Sequence, residues 1–201
     1  MTSPRFLVVS LGNPQPYYDT LHSAGHWALN ALQQHLAPAQ PPFASHRFGQ
    51  SRARASLGDK YLLVQCPTLM NVSGPWVAKI WKHSVTQYPS GLGLVLVHDD
   101  LEQRLGAAKW KPWTKSAAGQ NGVKSVQNFL RRPDYKDYEG PEWARMLVGI
   151  GRPEARDRDT VSDYVLRSMT TEQKQLLGTD IGSIILRELS LLEQRESPKS
   201  G

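Results

Sequence analysis

Four runs of apolar residues most constrain how this chain can fold. They cover residues 6–11, 61–66, 92–97 and 146–150. They lack a regular alternation of polar and apolar residues, so they predict strands that are buried on both faces. Segments with helical spacing of apolar residues lie between several of them. Buried strands that alternate with helices predict an α/β fold, here a three-layer α/β/α sandwich with a mixed, mostly parallel sheet.

The remaining elements follow from periodicity and turn residues. Helices are predicted at 23–36, 75–88 and 121–130, and one long helix is predicted to start near Thr170 and run toward Glu196. The turn signal Gly58-Asp59-Lys60 predicts a hairpin, which makes the sheet mixed. A further strand is predicted near 106–111, and a polar surface loop at 133–142. No repeat or linker interrupts the chain, which predicts one domain over 1–196 and a flexible tail at 197–201.

Positive charge is concentrated in two blocks. Lys and Arg number 24 against 18 Asp and Glu, and no acidic residue occurs in 20–58 or in 104–133. The second block carries seven basic residues. Such blocks are compatible with an ordinary basic surface, but they favour a track for a polyanion, and nucleic acid in particular.

Several classes of protein are excluded or disfavoured by composition. No apolar run approaches the roughly 18 residues of a membrane span. Cys66 is the single cysteine, so an intrachain disulfide and a thiolate zinc site are excluded, and its position at the end of a buried strand predicts an inert core residue. The segment before the first strand lacks the apolar region of a signal peptide.

Polar residues from distant parts of the chain are predicted to meet at one edge of the sheet. Asn13, Asn71 and Asp99 follow predicted strands, and His22 and Asn121 stand at predicted helix starts. Ligands of open α/β sheets bind at the carboxyl ends of strands. An imidazole beside a carboxylate can take a proton from water, and asparagine N–H groups can stabilise a developing oxyanion. No nucleophile motif accompanies them, which points to direct activation of water.

Other interpretations compete for some of these residues. His22 and His26 have a spacing that can bind metal, although no third ligand is evident. The glycines of Gly149-Ile150-Gly151 lack the third member of a dinucleotide loop, which disfavours a cofactor. Trp110 and Trp113 lie among lysines and can either stack on bases or belong to the core. We expect no metal and no cofactor.

Six motifs in this chain carry a resemblance to one enzyme family. They are Leu11-Gly12-Asn13-Pro14, Thr20-Leu21-His22-Ser23-Ala24-Gly25, Pro67-Thr68-Leu69-Met70-Asn71-Val72-Ser73-Gly74, Val97-His98-Asp99-Asp100-Leu101, Ser116-Ala117-Ala118-Gly119-Gln120-Asn121-Gly122 and Val148-Gly149-Ile150-Gly151-Arg152-Pro153. In this order they resemble the bacterial-type peptidyl-tRNA hydrolases, which cut the ester between a peptide and the 3′ end of tRNA.

The resemblance implies a role for each matching residue. His22 would be the general base and Asp99 its hydrogen-bonding partner. Substrate-binding residues would be the following: Asn13, Tyr18, Met70, Asn71 and Asn121. Residues that contact tRNA would be Lys111, Lys115 and Arg145.

The chain also departs from the family's pattern. Leu21 and Ser23 replace the usual Arg and Asn on either side of the histidine, and Gln120 replaces a customary His. Leu147 stands where an Arg is common, so Arg145 would substitute for it with a different reach. The segment from Asn13 to His22 is one residue shorter, which leaves Tyr17 and Tyr18 as alternatives for the family's tyrosine.

These observations lead to one principal hypothesis and two rivals. The principal hypothesis is a metal-free esterase that acts on peptidyl-tRNA, with tRNA as its nucleic-acid partner. We expect a monomer without membrane contact, in the cytoplasm or alternatively in the mitochondrion. The rivals are a non-catalytic RNA-binding protein on the same fold, motivated by the departures, and an amidase or peptidase on that fold.

Overall fold

A seven-stranded mixed sheet forms the centre of the protein. The computed structural model describes residues 5–89, 91–117, 119–135, 138 and 140–196. Within these residues the sheet has the order β2-β3-β4-β1-β5-β7-β6. The strands are β1 (Arg5–Ser10), β2 (Ala44–Phe48), β3 (Ser51–Leu57), β4 (Tyr61–Gln65), β5 (Leu92–Asp100), β6 (Ala108–Pro112) and β7 (Ala144–Gly149).

The four central strands, β4, β1, β5 and β7, run parallel to one another. Strand β3 pairs antiparallel with β4 and with β2, and β6 pairs antiparallel with β7 at the other edge. Nearly every residue of the four central strands is buried. Burial on both faces is the reason that these strands read as continuous apolar runs. The predicted mixed α/β sandwich is therefore confirmed.

Helices cover both faces of the sheet and create two apolar layers. The helices are α1 (Ala24–Leu36), α2 (Gly74–Gln87), α3 (Asn121–Phe129), α4 (Arg158–Leu166), α5 (Thr171–Gln175) and α6 (Gly182–Glu196). Helices α1 and α6 pack together over one face. Helices α2 and α3 cover the other face, where the fully buried Trp81 packs edge-on against Trp143. No helix within the described ranges has the length and apolar character needed to cross a bilayer.

The prediction of one long helix from Thr170 was wrong. The segment forms α5, a π-helical turn (Leu176–Asp180) and α6, so the helical register is interrupted. The turn lies against α1, and a Cβ on Gly178 would come within 2.7 Å of Trp27. Helix α4 was not predicted because none of its residues is fully buried, which leaves its apolar period weak.

The segment predicted as a polar loop at 133–142 contributes to the core. The rings of Tyr135 and Tyr138 lie edge-on to Trp81, with centroids 6.0 and 5.5 Å away. Residues 136, 137 and 139 fall outside the described part. The predicted tail at 197–201 also lies outside the described residues, and the predicted domain limits stay a prediction.

The two basic blocks do not form one continuous track. Arg47, Arg52 and Arg54 lie on β2 and β3 at one edge of the sheet, whereas Lys109 and Lys111 lie on β6 at the opposite edge. Six strand spacings separate β2 from β6, which amounts to about 30 Å. Only the second block therefore lies at the edge of the sheet that β7 and β6 form.

Candidate active site

A cavity of about 540 Å³ opens at the carboxyl ends of β5 and β7. It is lined at one end by His22, Asn71, Asp99 and Asn121, and farther along by residues of β6, β7 and α4. Four of the five polar residues that the sequence predicts at this edge thus line one cavity. The observed position agrees with the location of ligand sites in open parallel sheets.

His22 reaches this edge because the start of α1 lies directly on the strand ends. His22 belongs to a single 3-10 turn (Leu21–Ser23) that leads into α1. A Cβ on Gly25 would lie 2.5 Å from the carbonyl oxygen of Leu11 and 2.9 Å from that of Val97. Only glycine permits this approach without displacing the backbone. Gly25 thereby brings His22 next to the end of β5.

His22 and Asp99 form the central pair of the site. His22 Nδ1 lies 2.9 Å from Asp99 Oδ2, and the carboxylate is almost completely buried. A hydrogen bond from Nδ1–H to the carboxylate fixes the tautomer in which Nε2 is unprotonated. Burial alone lowers the pKa of His22, but the negative charge of Asp99 and the hydrogen bond outweigh it and raise the pKa above its usual value. Nε2 is then a stronger base toward water.

Asp99 stays ionised although it is buried. Burial alone raises the pKa of its carboxyl group, whereas the positive charge of His22 and the hydrogen bonds from His22 and Gln120 lower it, and the net pKa lies below the usual value. The neighbouring His98 turns into the fold and donates from Nδ1 to the Asp99 carbonyl oxygen at 2.8 Å. Burial lowers the pKa of His98. His98 is therefore a buried neutral neighbour, and His22 is the histidine placed to act as the base.

The three asparagines have different surroundings. Asn13 is buried, and its Oδ1 accepts from the backbone N–H of Met70 at 3.0 Å, which leaves Nδ2 as the donating end of the amide. Asn71 and Asn121 are exposed and line the cavity. Asn71 follows β4 in a 3-10 turn (Met70–Val72), and Asn121 begins α3. The turn after β4 and the start of α3 therefore present two amides to the cavity.

Two predicted substrate contacts lie beside the cavity rather than in its wall. Tyr18 packs against α1, where its ring stacks on His26 and its hydroxyl accepts from Asn30 Nδ2 at 3.1 Å. Met70 is 1% exposed, and its sulfur lies 3.0 Å from Gln120 Nε2. Contact of either residue with substrate stays a prediction.

Lys111, Lys115 and Arg145 lie close together but differ in exposure. Lys115 is exposed, and Lys111 is partly exposed and lines the cavity. Arg145 also lines the cavity but is 1% exposed, and its Nη2 donates to the carbonyl oxygens of Lys115 and Ser116 at 2.7 and 2.9 Å. Arg145 thus supports the loop that carries Lys115, and its direct contact with tRNA stays a prediction.

The competing interpretations of single residues find little support in the geometry. His26 turns away from His22, its Nδ1 lies 2.8 Å from Ser10 Oγ, and burial lowers its pKa to about 3. Cys66 is buried, which raises the pKa of its thiol to about 11. Trp113 packs edge-on against Trp143, a core position, and Trp110 is partly buried. Within the described ranges no cluster of three or more His, Cys, Asp or Glu suits a metal ion.

Helix α4 forms one wall of the cavity, and the sequence did not predict it. Val161 and Val165 of α4 line the cavity, and Arg156 and Arg158 add positive charge there. Asp157, a preferred N-cap residue, could have predicted the start of α4, since its carboxylate accepts from Thr160 N–H at 2.9 Å. Valines four residues apart on a capped segment would have indicated a short helix.

Comparison with known proteins identifies the family and supports the fold. A profile of the family described as peptidyl-tRNA hydrolase matches residues 7–196. A peptidyl-tRNA hydrolase of Tropheryma whipplei is 33% identical over 178 residues, which cover 88% of this chain and 82% of that protein. One from Delftia acidovorans is 35% identical and covers 87% of this chain and 78% of that protein. The crystal structure of peptidyl-tRNA hydrolase from Acinetobacter baumannii shares the fold, with a TM-score of 0.67 and 24% identity over 99% of this chain and 93% of that one.

An α/β fold with a histidine–carboxylate pair in an open cavity suits a hydrolytic enzyme that activates water. The chain belongs to the peptidyl-tRNA hydrolase family, since the family profile matches nearly its whole length and relatives above 30% identity cover most of it.

Proposed function

We propose that this protein hydrolyses the ester bond between peptide and tRNA in peptidyl-tRNA, with water activated by His22. The observation that carries the proposal is the 2.9 Å contact between His22 Nδ1 and Asp99 Oδ2 in a cavity that Asn71 and Asn121 also line. Membership of the peptidyl-tRNA hydrolase family supplies the substrate class.

The reaction follows from this geometry. Neutral His22 Nε2 takes a proton from a water molecule as the water oxygen attacks the ester carbonyl carbon. Amide N–H groups of asparagine side chains stabilise the oxyanion. The tetrahedral intermediate then expels the ribose oxygen of tRNA, which receives the proton from the His22 imidazolium. Asp99 stabilises that imidazolium and remains ionised. The products are a free peptide acid and deacylated tRNA.

We further propose that tRNA phosphates bind at Lys111 and Lys115. Both lie on or just after β6, in the basic block beside the cavity, and Lys115 is exposed. Arg145 holds the loop after β6 by donating to the carbonyl oxygens of Lys115 and Ser116. These bonds position the Lys115 backbone and therefore its ammonium group. The cytoplasmic location, with the mitochondrion as its alternative, and the monomeric state stay predictions.

Release of labelled peptide from an N-acyl-aminoacyl-tRNA tests the proposal, with wild type and His22→Ala compared in the presence of EDTA. We expect turnover by wild type and a loss of about 10²–10⁴-fold in the variant, the usual contribution of a general base. His35→Ala is the matched control, because His35 is exposed on α1 outside the cavity. A folded wild type that binds tRNA without turnover would favour the RNA-binding alternative.

A further inference from the structure

We propose that Gln120 is a positioning residue for the catalytic pair, because it fixes the second oxygen of Asp99 and at the same time caps α3. The inference rests on the proposed function and assigns a part in it to a residue that departs from the family's pattern. Gln120 stands where a His is customary, so its contribution follows from its own contacts in this chain.

The orientation of the Gln120 amide is determined by its partners. Oε1 accepts from the backbone N–H groups of Gly122 and Val123 at 2.6 and 3.1 Å, which caps the first turn of α3. These are donors, so they must face the amide oxygen rather than the NH₂ group. Nε2 therefore points toward Asp99 and lies 2.7 Å from Oδ1.

Both oxygens of Asp99 are thus held from different elements. Oδ2 contacts His22 at the start of α1, and Oδ1 accepts from Gln120 at the start of α3. The carboxylate belongs to β5. One side chain therefore links the strand that carries Asp99 to the helix that begins with Asn121. A change in the orientation of Gln120 would therefore move Asp99, the partner of His22, together with the neighbouring amide of Asn121.

A neutral donor at this position has an electrostatic consequence. The hydrogen bond from the Gln120 amide lowers the pKa of Asp99. The same N–H reduces the negative potential that Asp99 exerts at His22, because the positive end of the amide dipole points at the carboxylate. Removing this donor while retaining the cap would raise the pKa of His22. An amide also donates at every pH, whereas an imidazole would add a second titration beside Asp99.

Gln120→Asn separates the two contacts. Asparagine is a strong N-cap residue, so the shorter side chain still accepts from α3, but it is one methylene too short to reach Asp99. The matched control is Gln175→Asn, because Gln175 Nε2 donates to the exposed Asp180 Oδ1 at 3.2 Å outside the cavity. Both variants therefore shorten a glutamine that donates to an aspartate.

Two readouts test the inference. In peptide release from N-acyl-aminoacyl-tRNA, we expect Gln120→Asn to lower kcat/KM about tenfold, comparable to losing one hydrogen bond to a charged group. We also expect the acid limb of its pH profile to move to higher pH. Thermal unfolding should stay cooperative with its midpoint lowered by only about 2–6 °C, because the buried Asp99 Oδ1 loses one donor. Gln175→Asn should change none of these quantities.

The second readout is independent of turnover. The NMR titration of the His22 ring, assigned by its loss in His22→Ala, should move to higher pH in Gln120→Asn and stay in place in Gln175→Asn. An unchanged His22 titration in folded Gln120→Asn would overturn the inference, whatever the activity. If wild type shows no turnover, the proposed function fails, and the titration still decides the part assigned to Gln120.

Discussion

Replacing Asp99 by asparagine is the sharpest test of the proposed catalytic pair, His22 and Asp99. The exchange keeps the size of the side chain and removes its charge. Gln120 Nε2 donates to Oδ1 at 2.7 Å, so the oxygen of the new amide is held at that position. Its NH₂ group then faces His22 Nδ1, where Oδ2 lies now. Nδ1 must accept from this group, and the proton moves to Nε2, the nitrogen that is needed as the base.

The loss has two components that act in the same direction. The wrong tautomer removes the general base, which contributes about 10²–10⁴-fold, equivalent to about 3–5 kcal/mol of transition-state stabilisation. The imidazolium formed during the reaction also loses its counter-charge. We therefore expect kcat/KM of Asp99→Asn to fall by about 10³-fold or more, close to the value for an orienting carboxylate in other histidine-dependent enzymes.

The assay compares peptide release by wild type, Asp99→Asn and Asp100→Asn across pH. Asp100 carries the same charge one residue along the strand, but its Oδ1 accepts from Glu102 N–H at 2.9 Å. We expect Asp100→Asn to retain most of the activity. Wild-type rates in folded Asp99→Asn, with an unchanged acid limb, would refute the assignment of the pair.

Three further outcomes follow from the geometry. Because Asp99 raises the pKa of His22, the acid limb of wild-type kcat/KM should lie above pH 6.5 and activity should rise with pH through it, as a rate profile would show. Lys111→Ala should weaken tRNA binding and lower the slope of log K against log salt by about 1, measured by binding titrations at several ionic strengths. Gly25→Ala should cost about 2–4 kcal/mol in urea unfolding, because its Cβ meets two backbone carbonyls and neither can yield without moving a central strand.

The sheet was predictable because a strand that is buried on both faces consists almost entirely of apolar residues. The central strands are buried on both faces, and their apolar runs show it without any knowledge of pairing. Helix α4 lacks a clear apolar pattern, because it packs on the rim of the cavity and has no fully buried residue. The break before α6 was equally hidden, because the π-helical turn packs Gly178 against Trp27, which is 151 positions earlier in the chain.

The residues that line the cavity were predictable, whereas the contacts that each side chain makes were not. Strand ends and helix starts place His22, Asp99, Asn71 and Asn121 at one edge whatever the side-chain details. Whether a side chain faces solvent or the fold depends on neighbours that are distant in sequence. The hydrogen bonds of the Arg145 guanidinium to loop carbonyls are therefore visible only in three dimensions.

Leu21 and Ser23, two departures from the family pattern that flank His22, have structural functions in this chain. Leu21 is fully buried in the apolar layer beneath α1. Ser23 Oγ accepts from the backbone N–H of Asn13 at 2.9 Å and donates to the carbonyl oxygen of Tyr17 at 2.8 Å. These bonds hold the backbone at Asn13 and at Tyr17 against the turn that carries His22. The hydroxyl of Ser23 thus ties two points of the segment before His22 to the turn itself, so a residue that departs from the expected pattern still helps to fix the position of His22.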